Sequence, residues 1–135
     1  MWERGFYGQE ESDGVPARWT DGEAELRVPI DLTNPPKALE IRMRMVRSGE
    51  RLFRLLVNDQ VLFSGRIAEA WDRVFSLDGI PASRSDILKI QLQSDTFNPS
   101  LELSNSRDTR TLGVLVLGIR LLTDERVPPG AAVTR

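Results

Sequence analysis

Two stretches hold most of the residues able to do chemistry. The first, GFYGQEESDGVPARWT at residues 5–20, sets Phe6, Tyr7 and Trp19 beside Glu10, Glu11, Asp13 and Arg18. The second, FNPSLELSNSRDTRTLG at residues 97–113, carries Asp108 and Arg110 on either side of Thr109. If that piece is extended, side chains two residues apart point the same way, so Asp108 and Arg110 share a face. Carboxylates at Glu10, Glu11, Asp13, Asp95 and Asp108 raise the question of acid–base chemistry, since two of them across a pocket can hydrolyse a glycoside. No spacing in the chain places two across a pocket. Solvated or ion-paired carboxylates are therefore the reading, no catalytic residue is assigned, and a small glycosidase or lyase is the last-ranked alternative.

Composition removes further classes. The chain has 135 residues with neither histidine nor cysteine. Disulfides, thiolate nucleophiles, Ser-His-Asp triads and the usual zinc sites go with them. A metal would have to be a hard cation held by oxygens, and no metal ligand is assigned. The formal net charge is -2, which favours neither nucleic acid nor an anionic membrane. Among the basic residues only Lys37 and Lys89 are lysine, a bias towards the planar fork that pairs with carboxylates. No apolar run is long enough to span a bilayer. Met1 leads straight into WERGFYGQEE with no signal peptide, and the abrupt start reads as a module cut from a longer protein.

The elements that must position these residues are strands. EAELRVPI and KALEIRMRMV alternate, with Ala24, Leu26 and Val28, then Leu39, Ile41, Met43 and Met45, on the inward faces. The outward residues Glu23, Glu25 and Arg27 are placed to pair across strands with Glu40, Arg42 and Arg44. DLTNPPK between them is a loop. RLFRLLVNDQVLFSG is a hairpin turning at Asn58-Asp59. DRVFSLDGIP and DILKIQLQSD are further strands, and TLGVLVLGIRLL is a central one buried on both faces over part of its length. Residues 67–71, IAEAW, read as a single helical turn, with Trp71 capping the core. Before residue 23 no strand period is visible, so the first stretch reads as a long ordered loop. The second reads as a loop anchored by Phe97, Pro99, Leu101 and Leu103. Many short strands with Gly and Pro turns predict an all-β, jelly-roll-like antiparallel β-sandwich over residues 1–123, with a flexible tail at 124–135.

GFYGQEE, RWT before an alternating strand, SDTFNPS, and RDTRTLGV leading into the last strand together resemble a family. It is the β-sandwich accessory domain of bacterial cell-envelope glycosyltransferases, similar to galactose-binding-like carbohydrate-binding modules. The likeness runs from Gly5 to Leu122. It implies a non-catalytic, carbohydrate-binding-like module associated with envelope glycan or polysaccharide assembly. It further implies a glycan ligand, a glycosyltransferase partner or parent chain, and a location outside the cytoplasm or at the cell envelope. No cofactor is expected beyond a structural calcium, for which SNSRDTR and QEESDG offer Asp and Asn.

Sugar rings present C–H patches and hydroxyl pairs, which suit flat aromatic faces and planar polar side chains. On the resemblance, Tyr7, Glu10, Arg18 and Trp19 meet Asp108 and Arg110 to form the ligand site. The structural reading of the same residues stands beside it. Trp19 fills the end of the core, and Glu10 with Arg18 or Arg110 is a buried ion pair pinning the N-terminal segment. The alternative function is a structural or protein-interaction domain that docks onto a partner enzyme without binding sugar.

Overall fold

The computed structural model describes residues 1–44, 51–67, 70–80, 86–102 and 106–123. Its elements in chain order are β1 (Trp2–Phe6), β2 (Glu10–Ser12), β3 (Val15–Pro29), β4 (Ala38–Arg44), β5 (Arg51–Val57), β6 (Gln60–Ile67), β7 (Trp71–Ser76), β8 (Ile87–Ser94), a short turn of helix α1 (Pro99–Glu102), and β9 (Leu115–Leu122). Every strand pairing is antiparallel. The fold is an all-β antiparallel sandwich.

Strand β3 explains the architecture. Its first half pairs with β9 at Arg18↔Val116 and Trp19↔Leu115. Its second half pairs with β8 from Glu23↔Gln93 to Pro29↔Ile87. One strand thus belongs to both layers, giving the order β6-β5-β8-β3-β9-β4-β7, with β1 and β2 also paired to β3. The chain changes layer at Gly22, where φ is +100°, a value that suits glycine. Gly113 lies against the same corner. A Cβ there would sit 2.8 Å from both the Gly22 nitrogen and the Ser94 hydroxyl. Thr20 closes the corner: it is buried, and its Oγ1 accepts from the Val114 amide at 3.1 Å.

The alternation read from the sequence fills the space between the layers. Leu39, Ile41, Met43, Phe53, Leu55, Val57, Leu88, Ile90 and Leu92 form one core with Ala24, Leu26 and Val116. Met45 and Leu103 lie outside the described residues, as does the tail at 124–135. Asn58 and Asp59 turn the hairpin with φ of +49° and +67°. Strand β9 is central, and its neighbours Leu115 and Val116 enter different clusters on opposite faces. Between β6 and β7 an aromatic group closes the sandwich, with Phe63 5.0 Å and Phe53 5.5 Å from Trp71.

Four expectations are corrected. The first stretch is not a loop: it forms β1, β2 and the start of β3, whose burial follows the path of β3 between layers and so shows no simple period. Ile67 and Trp71 are strand residues at the ends of β6 and β7, so the helical turn over 67–71 does not form at its ends, while Trp71 is buried against the core; residues 68–69 lie outside the described set. Leu101 anchors nothing, being 82% exposed on α1. The cross-strand pairs between 23–27 and 40–44 do not form, because β3 runs in the other layer there. Arg42 instead meets Asp72, Arg44 meets Asp13, and Arg120 meets Glu40.

Candidate functional site

The two chemistry-bearing stretches meet at the end of the sandwich where β3 enters β9. Phe97 and Leu112 bridge to each other and bury against Trp19, Ala17 and Leu115. Trp19 packs edge-on to Phe97 with ring centres 5.7 Å apart, and it is only 7% exposed. Its ring therefore belongs to the core. Arg51, fully buried at the head of β5, stacks on Phe97 at 4.7 Å and donates to the Asp95 carbonyl.

Above this floor lies a polar cluster. Tyr7 follows β1; its amide donates to the Trp19 carbonyl, and its hydroxyl donates to the Thr111 carbonyl at 2.8 Å. Arg110 lies 5.1 Å above the Tyr7 ring. Its guanidinium forks onto Asp108 and reaches Glu10 on β2 at 2.8 Å. Asp108 also accepts from the Arg110 backbone amide, so the segment curls into a tight turn instead of running extended. Arg18, on β3, donates to the Tyr7 carbonyl at 2.7 Å and pairs with Glu3 at 2.7 Å. The Phe6 ring lies 5.2 Å below its guanidinium.

The structure thus brings Tyr7, Glu10, Asp108 and Arg110 into one cluster, with Arg18 adjoining it through the Tyr7 carbonyl and Trp19 beneath. The Glu10–Arg110 pair is not buried as expected: the side chains are 41% and 34% exposed. The reason is that β2 is a short edge ribbon lying outside both layers. The Arg110 fork, with the Arg110 amide second, holds the Asp108 carboxyl below the usual range. Asp108 in turn makes Arg110 more basic than usual. Arg18 does the same to Glu3 as Arg110 does to Asp108. These carboxylates stay ionised at neutral pH, which suits them to accept hydrogen bonds rather than to donate a proton. Among the described residues no three acidic side chains gather to hold a metal; Ser104 and Asn105 of the SNSRDTR segment lie outside those residues.

Sequence reasoning did not single out Glu3, Thr111 or Arg51. Glu3 and Thr111 enter through backbone register, which no local pattern announces. Nor did it find the cleft of about 420 Å3 between β1 and the part of β9 beyond Val116, lined by Phe6, Arg18, Leu26, Val28, Leu117 and Ile119 among others. Compared with models of known families and with curated proteins, the chain matches none.

Proposed function

We propose that this domain is a non-catalytic carbohydrate-binding-like module of the galactose-binding-like type, working with the assembly of bacterial envelope glycans. The observation that carries this reading is the partly exposed Tyr7–Arg110 stack bracketed by the carboxylates of Glu10 and Asp108. An aromatic face supplies a surface for sugar C–H groups, and the carboxylates supply acceptors for paired hydroxyls. Glu10 uses only Oε2 for Arg110, so Oε1 remains open to a ligand among the described residues. Trp19 supports the cluster from below, and Arg18 positions Tyr7 through its carbonyl.

The test is a glycan array with the purified domain, run with and without calcium. The expected result is a set of neutral or envelope-type glycans whose binding falls in Tyr7→Ala and Glu10→Gln while the variants keep native circular dichroism. Binding that survives both changes sinks the assignment of the cluster.

A second reading has its own observation. Beyond Val116, strand β9 has no ladder partner on the side away from β4 among the described residues, and the neighbouring cleft is mainly apolar. A strand edge beside an apolar cleft suits docking of an extended segment from a partner enzyme. A blank array favours that reading.

A further inference from the structure

The outer face of the larger layer carries an arrangement that the cluster above does not use. Trp2 on β1 is 45% exposed, whereas Trp19 and Trp71 are buried. Trp2 stands opposite Arg27 on β3, and Arg4 stands opposite Glu25. These four share the outer face, because the intervening Leu26 and Ala24 point into the core. The Arg27 guanidinium lies 4.7 Å from the Trp2 ring centre, and that of Arg4 lies 5.8 Å away. Both reach Glu25, Arg27 at 2.7 Å and Arg4 at 3.5 Å.

The burial of this trio is lopsided. The Glu25 side chain is 5% exposed, while those of Arg4 and Arg27 are 65% and 52% exposed. One buried carboxylate therefore anchors two solvent-facing guanidiniums and balances only one of their charges. Each keeps donors without a partner among the described residues, beside an exposed indole. The face continues with polar groups: Lys89 opposite Arg27, Gln91 opposite Glu25, and Gln93 between Glu23 and Arg54. Arg54 has no carboxylate partner among the described residues.

We propose that this face binds an acidic glycan, with Trp2 stacked on a pyranose ring and the Arg4–Arg27 pair holding the sugar carboxylate. It rests on the sugar-binding reading only in the class of ligand, since its residues are separate from the Tyr7–Arg110 cluster. The exposed indole calls for a ring, and the excess positive charge calls for an anion. Guanidinium forks match a carboxylate in shape, and Glu25 holds them in place beforehand. Neighbouring strands lie about 4.8 Å apart, so a chain laid across them meets Arg27 and Lys89, or Glu25 and Gln91, at intervals close to one sugar unit.

The experiment titrates the domain with oligogalacturonate and with the same oligomer after reduction of its carboxyl groups, following tryptophan emission and backbone amide shifts. The acid form is expected to perturb Trp2 emission and to shift amides of residues 2–4, 25–27 and 89–91. Affinity is expected to fall about tenfold in Arg27→Gln, in Arg4→Gln and for the reduced oligomer, and to weaken with salt. Trp2→Ala should abolish the emission change while leaving the circular dichroism native. Equal affinity for the two oligomers overturns the proposal, as does equal binding of inorganic polyphosphate or the absence of binding. Shifts centred on residues 7, 10, 108 and 110 overturn it too, while favouring the cluster. A blank neutral-glycan array alongside the expected shifts removes the cluster reading and leaves this one standing.

Discussion

Replacing Arg110 with alanine removes a fork onto Asp108, a bond to Glu10 and the stack over Tyr7 at once. A fully buried pair would lose about 3–5 kcal/mol on losing one partner. Here the side chains of Arg110, Asp108 and Glu10 are 34%, 28% and 41% exposed, so water compensates much of the loss. Each ionic contact is then worth about 0.2–1 kcal/mol, and the stack on Tyr7 about 0.5–1 kcal/mol. The expected cost is about 2 kcal/mol, a fall in Tm of roughly 5–10 °C for a domain of this size. Arg42 is the control. It makes one 3.4 Å contact to Asp72 with side chains 51% and 63% exposed, so Arg42→Ala should cost no more than about 0.5 kcal/mol. Thermal melts at neutral pH and low salt read the difference, which should narrow at high salt. Equal melting temperatures for the two variants would refute the view that the cluster clamps the N-terminal strands to the segment before β9.

The same cluster sets a pH dependence. The pKa of Asp108 is lowered by folding, so its contribution is present above the unfolded value of about 3.9 and is lost as pH falls through the lower folded value. Asp108→Asn should therefore melt below the native protein at pH 7, and the gap should close in acid below about pH 4; a gap independent of pH contradicts this. Gly113→Ala should cost about 3 kcal/mol in urea unfolding, since its Cβ meets backbone at the layer-crossing corner and cannot push it aside, and an unchanged midpoint would mean that the corner yields. Deleting residues 1–20 removes β1, β2 and the half of β3 that joins β9, so circular dichroism should show an unfolded chain; a folded product with native Tm would show that these strands are an appendage.

Strands β4, β5 and β8 were legible because each has one face on a single core, so hydrophobicity alternates along it. The turn at Asn58-Asp59 was legible because few residue types accept positive φ. Strand β3 was legible only from residue 23, where it settles into one layer. Before that, Ala17, Trp19 and Thr20 bury against the Phe97 cluster and the corner, so polarity stops reporting direction. The meeting of Tyr7 and Glu10 with Asp108 and Arg110 depends on the register of β3 with β9, to which no short-range pattern points. Leu101 shows the converse: an apolar residue in a polar segment reads as an anchor, yet solvent is where α1 leaves it.

The path of β3 also orders events during synthesis. Arg18 finds its partner only when Val116 has emerged, and the Phe97–Leu112 bridge waits almost as long. The hairpin of β5 and β6 can zip early, because its partners are near in sequence. The smaller layer cannot close until β9, the last of the described strands in chain order, supplies its middle strand. Pairings this distant make for slow folding and a prolonged interval with strand edges bare. Throughout that interval β1 and β2 can already pair with β3, their neighbour in sequence, while the edges of β3 and β4 that β9 will cover stay bare, open to capture by a chaperone or by a second nascent copy.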